Sequence, residues 1–169
     1  MTPGRPSCSC IRIIVALGTG AVVAALTLVA SRMQLHDGSP GVLSVTVPVP
    51  AILLLAVALV SAGAARSFRV GLETGALALV ASFGAVFSVV AVEGLVWMDR
   101  HRVFVLDGDP PRHDVGTADV VFNFFSAGMW VGHLIFWLPW LVSGAALGAW
   151  IGVRRGPAAT DAGALATRR

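Results

Sequence analysis

Apolar residues run along this chain in four long blocks, separated by short polar segments. A helix needs about 20 apolar residues to cross the hydrocarbon core of a bilayer. The first block, IIVALGTGAVVAALTLVA, covers residues 13–30 and is bounded by Arg12 and Arg32. A cleavable signal peptide has an apolar region of about 7–15 residues followed by a small-x-small site. This block is longer and ends in no such site, so it is read as a retained helix. The second block covers 47–65, with Pro48 and Pro50 at its start, where a missing N–H costs least. The third covers 70–98 and carries Glu73 in its expected first turn, where the helix dipole favours a carboxylate.

The last apolar stretch begins at Val120 and ends at Val153. As one helix it would be about 51 Å long, against a hydrocarbon core of about 30 Å. The sequence therefore predicts a break: an interfacial segment over 120–128 and a membrane span over 129–153. The expected fold is all-α, an integral membrane bundle of four transmembrane helices with a short interfacial segment before the fourth. It occupies residues 1–155, and the small, Gly/Pro-punctuated stretch 156–169 is expected to be a disordered cytoplasmic tail.

Composition agrees with the pattern. Hydrophobic residues make up 56% of the 169 positions and charged residues 12%, against about 25% charged in soluble domains. Mean hydropathy is +0.83. The net charge of +3 rests on twelve arginines and no lysine. With the N-terminus inside, the inner segments hold eight of them (Arg5, Arg12, Arg66, Arg69, Arg154, Arg155, Arg168, Arg169). The outer segments hold Arg32, Arg100, Arg102 and Arg112. The positive-inside rule then places both termini in the cytoplasm. A lysine-free, Ala/Val/Gly/Arg-rich chain suggests a high-GC bacterial genome, and hence the bacterial inner membrane. The arginines are not interleaved with exposed aromatics, so nucleic acid is not an expected partner.

Two polar groups stand inside the apolar blocks. Glu93 lies five residues before Met98, about 7.5 Å inside the outer boundary. A carboxylate at the bilayer centre costs about 2.5–3.5 kcal/mol on insertion scales, less near the interface. At 100° per residue its face also carries Val89, Val86, Ser82, Ala78, Gly75 and Gly71, mostly small residues suited to close packing. Glu93 is thus expected to point into the bundle. His133 sits at similar depth on the fourth span and shares a face with Trp130, Trp137, Trp140, Gly144, Leu147 and Ile151. Sequential helices are usually neighbours. A Glu93–His133 pair is therefore expected, with Asn123 of the interfacial segment able to join it.

Gly144, Gly148 and Gly152 form a helix-contact ladder, and Ala16, Gly20 and Ala24 a weaker one. Trp97, Trp130 and Trp150 suit interfacial belts. Trp137 and Trp140 fall near mid-membrane, beside Pro139, and are expected to pack inside the bundle.

The polar segment 99–119 holds five Asp, three Arg and two His. Its RVFVLDGD stretch alternates weakly toward an Asp-Gly turn, the pattern of a short hairpin. The Asp and His spacing (Asp99, His101, Asp107, Asp109, His113, Asp114) matches no calcium or zinc pattern. Cys8 and Cys10 are too few for a closed zinc site and wrongly spaced for thiol exchange. There is no phosphate-cradling Gly loop, no Gly-x-Ser-x-Gly and no His-Glu-x-x-His. The sequence thus reads as a protein that is not an enzyme, with no cofactor and no metal. It reads as an accessory or assembly-type membrane subunit, its expected partners being the bilayer, further copies of itself or other membrane subunits. The alternative is a small proton-linked transporter, a homo-oligomer working through Glu93 and His133.

Overall fold

The computed structural model describes residues 8–37, 42–101, 116–124 and 126–155, all but a few of them helical. The elements are α1 (Cys8–Asp37), α2 (Val42–Thr46), α3 (Pro48–Ala65), α4 (Phe68–His101), α5 (Thr117–Phe124) and α6 (Ala127–Arg154). Among the described residues there is no strand, and the fold is the expected all-α four-helix bundle. Four helical segments are long and apolar enough to cross a membrane: Ser9–Met33, Val42–Ala65, Phe68–Val96 and Ala127–Arg154. The expected hairpin, most of the loop Asp/His set and the tail over 156–169 lie outside the described residues.

Helices α1 and α4 overrun the expected bounds at charged residues, whereas α3 stops at Ala65 as expected. Helix α1 continues through both Arg12 and Arg32, because each guanidinium meets a carboxylate on α4. Helix α4 starts at Phe68, which moves Glu73 out of the first turn. The predicted break before the last span is real: α5 is a separate helix over eight residues. Its first turn holds Asp119, whose Oδ2 accepts a 2.9 Å hydrogen bond from the Gly116 N–H. Pro48 and Pro50 occupy the first turn of α3 as the sequence implied.

Helix α3 ends in a left-handed cap. Arg66 has φ 52°, and the following Ser67 N–H donates back to the Ala62 carbonyl at 3.1 Å, a Schellman-type closure. That tight turn sends the chain straight into α4.

Helix pairing is mostly non-sequential. The most extensive packing joins α3 to α6, followed by α1 to α4; α4 also packs on α3 and α6. Both major pairs run parallel. In the α3–α6 pair, Gly144 abuts the Leu55 backbone, Gly148 that of Leu59, and Gly152 that of Gly63. Each partner lies 89 positions back, so the register holds over two turns. A methyl group built on Gly152 would stand 2.5 Å from the Gly63 carbonyl oxygen. The backbones touch, which only glycine permits.

Helix α1 buries Ala16, Gly20, Val23, Thr27 and Ala30, a stripe at alternating steps of four and three. That is the 3.5-residue period of a left-handed helix pair. Its other faces are apolar and exposed, with Ile14 at 66% and Leu17 at 64%. Helix α4 is the central element, burying Ala78, Ser82, Phe83, Val86 and Phe87. The buried interior also takes in Leu54 of α3 with Trp137 and Leu141 of α6.

Candidate functional site

The membrane carboxylates are matched by arginines of α1. Arg32 makes a two-pronged contact with Glu93: Nε donates to Oε2 at 2.6 Å and an Nη to Oε1 at 2.9 Å. The Glu93 side chain is 13% exposed and that of Arg32 is 68% exposed. At the opposite end Arg12 donates to Glu73 Oε2 at 2.6 Å, and Arg69 donates to Glu73 Oε1 at 2.7 Å. The fork geometry of guanidinium and carboxylate makes such contacts directional as well as attractive.

The two pairs share one register. Arg12 and Glu73 are 61 positions apart, as are Arg32 and Glu93. Between them a methyl built on Gly20 would meet the Ala81 Cβ at 3.0 Å, again 61 positions on. Helices α1 and α4 therefore stay level from one end to the other. The pairs are twenty residues apart on each helix, about 30 Å at 1.5 Å per residue. That equals the thickness of a hydrocarbon core. The pairs clamp the seam at its two ends, where each charge can reach the headgroup layer.

The expected Glu93–His133 pair does not form. Glu93 is taken by Arg32, while His133 Nδ1 lies 2.8 Å from the Met129 carbonyl oxygen. A carbonyl only accepts, so Nδ1 carries the proton in that contact. Nε2 is buried without a hydrogen-bond partner. The straight-helix stripe had grouped Glu93 with Gly71 and Gly75. Those glycines do face α3 and α6: Gly71 abuts Ala58, Ala62 and Ala145, and Gly75 abuts Leu141. Farther up α4, however, the flexible stems of Glu93 and Arg32 let the carboxylate turn to α1. Asn123 falls on α5.

His133 sits instead among aromatic rings of α4 and α6. Its ring meets Phe87 at 5.6 Å and Trp137 at 5.2 Å, edge to face. Phe83 stacks on Phe87 at 5.4 Å, and Phe87 on Trp130 at 4.7 Å. Such ring pairs are worth about 0.5–1.5 kcal/mol beyond their burial. Trp137 is fully buried, and its Nε1 donates to the Val47 carbonyl at 3.1 Å, tying α6 to the entrance of α3. Trp140 and Leu147 depart from expectation: they are 46% and 49% exposed, facing away from the bundle. The α6 face that is buried runs His133, Trp137, Leu141, Gly144, Ala145, Gly148 and Gly152.

Other buried hydroxyls are dispersed. Thr19 and Thr74 donate to carbonyls one turn back on their own helices. Thr27, Thr46 and Ser82 have buried oxygens without a hydrogen-bond partner. Among the described residues no three of His, Cys, Asp and Glu converge on one point.

Fold and site together define a multi-pass membrane protein, an all-α four-helix bundle. No family model, curated protein or solved structure matches the chain. The Arg–Glu clamps were missed in the sequence, although a signal was there. Arg12 and Arg32 are twenty residues apart, and so are Glu73 and Glu93. Equal spacing of opposite charges on two apolar helices points to parallel pairing in one register.

Proposed function

We propose that this chain is a non-catalytic accessory or assembly-type subunit of a membrane complex, acting through contact with other membrane proteins or with copies of itself. One observation carries the reading: both carboxylates on the membrane helices are held by arginines of the same chain and serve to fix α1 on α4. A proton-linked transporter through Glu93 and His133 would need those groups coupled. Here one is committed to Arg32 and the other to the Met129 carbonyl. The lipid-facing surfaces are wide and apolar, on α1 (Ile14, Leu17, Val29) and on α6 (Ile135, Phe136). They offer a partner helix a docking face within the bilayer.

We place the protein in a bacterial inner membrane with both termini cytoplasmic. In support, the bundle gathers Arg12, Arg66, Arg69, Arg154 and Arg155 at one end, with Arg32 and Arg100 toward the other. Reporter fusions after Arg169 and at Gly108 test the orientation. A cytoplasmic signal from the first and an external one from the second are expected; the reverse would overturn it.

The function is tested by two measurements on the full-length protein. Photo-crosslinkers at Leu17 and Phe136 in native membranes should yield discrete adducts of defined mass. Proteoliposomes should show no proton flux that depends on Glu93 or His133. Flux abolished by Glu93→Gln or His133→Gln would replace this reading with the transporter.

A further inference from the structure

The α3–α6 seam ends in arginines that meet no carboxylate among the described residues. Just past the Gly63–Gly152 contact both helices end, α3 capped by Arg66 and α6 by Arg155. Arg154 is the last residue of α6, its guanidinium carbon 3.8 Å from the centre of the Trp150 ring. Among the described residues every ion pair made by an arginine belongs to Arg12, Arg32 or Arg69, and Arg66, Arg154 and Arg155 make none there. Part of this charge suits the negative ends of α3 and α6. The backbone shows that more is involved. Arg66 is the one non-glycine residue with positive φ among the described residues, at 52°. Glycine is the unstrained choice at a left-handed cap. A side chain kept at a strained position is a pointer to function.

We propose that this end of the seam binds the phosphate of an anionic phospholipid, held by Arg66, Arg154 and Arg155. Two features favour a lipid over a free anion. Trp150 is 53% exposed beneath Arg154, the station of an interfacial aromatic anchor. At 100° per residue from the Gly148–Leu59 contact, Leu147 of α6 and Val60 of α3 fall on one flank of the seam, with Trp150 turned farther round α6. Val60 is 66% exposed and Leu147 49%, which gives an acyl chain an apolar wall leading away from the arginines. A guanidinium cluster above an apolar wall with an aromatic at the boundary matches a lipid from headgroup to tail. The site is independent of the proposed partner subunits.

Native mass spectrometry of the full-length protein, extracted mildly from an equimolar phosphatidylglycerol–phosphatidylcholine mixture, tests the site. Phosphatidylglycerol should be retained in preference. Juxtamembrane basic residues each contribute about 1 kcal/mol to anionic-lipid attraction, so Arg66→Gln and Arg155→Gln should each weaken retention about five-fold. Arg100→Gln, toward the opposite end, should leave it unchanged. Arg66→Gly separates lipid binding from helix capping. It should raise the unfolding midpoint by relieving the left-handed strain, while still losing phosphatidylglycerol. Equal retention of the two lipids, or full retention by Arg66→Gly, would overturn the proposal. Displacement of the lipid by millimolar inorganic phosphate would do so in favour of a free-anion site.

Discussion

Two parallel seams hold this bundle, and they are built from opposite materials. The α3–α6 seam is glycine against backbone: Gly144, Gly148 and Gly152 press on Leu55, Leu59 and Gly63, leaving no room for a Cβ. The α1–α4 seam is a stripe of small residues closed at both ends by Arg–Glu pairs about 30 Å apart. In lipid there is no hydrophobic gain in bringing helices together, so packing and polar contacts must do it. The first seam relies on dispersion, which falls off within fractions of an ångström and demands a close fit. The second relies on charges with long stems, which tolerate small shifts but set the axial level of one helix against another. A glycine seam therefore fixes distance, and a clamp fixes register.

The sharpest way to break this contrast is to add volume to the glycine seam. Gly148→Val would drive a branched side chain into the Leu59 carbonyl. Overpacking costs about 1–3 kcal/mol, and here the obstacle is backbone, so a loss of about 3 kcal/mol is expected in a reversible unfolding assay in micelles. An unchanged midpoint would mean that α3 and α6 do not approach this closely.

A smaller effect is expected from Trp137→Phe, which keeps an aromatic ring in the core but removes the donor to Val47. A net loss of about 1 kcal/mol follows from one hydrogen bond. A loss no larger than that of Trp140→Phe, on the exposed face, would deny the Nε1 contact any structural role.

The clamps come next. Arg32→Gln and Glu93→Gln should each lower the unfolding midpoint by less than Gly148→Val does. Together they should lose less than their sum, because they remove one shared interaction. The exchange Arg32→Glu with Glu93→Arg should recover part of the loss. If the exchanged protein is less stable than either single variant, the pair does not set the α1–α4 register.

The smallest effect is expected at glycines outside both seams. A Cβ on Gly18 or Gly132 would meet nothing within 4 Å. Alanine is favoured over glycine in a helix by about 0.8–1 kcal/mol, so Gly18→Ala and Gly132→Ala should be neutral or slightly stabilising. If either is destabilising in native membranes but not in the purified protein, a partner helix packs there, which would support the subunit reading.

The sequence by itself determined the number of spans and the break before the last one. These follow from bilayer thickness and the rise of a helix, which act on each segment separately. It also marked Gly144, Gly148 and Gly152 as a contact face, because only close backbone approach calls for glycine at every fourth position. Partner choice was decided by tertiary structure alone. The rule that sequential helices are neighbours joined α4 to α6 and assigned Glu93 to His133. In the folded bundle α4 meets α1 over its whole length, and Arg32 reaches Glu93 first. A guanidinium, with its fork of donors, is a stronger partner for a carboxylate than an imidazole whose Nδ1–H is already given to a carbonyl. The intervals that betray this pairing, twenty residues on each helix, are legible only when two distant segments are compared. Each helix alone carries its charges, and only the packed bundle brings opposite charges level.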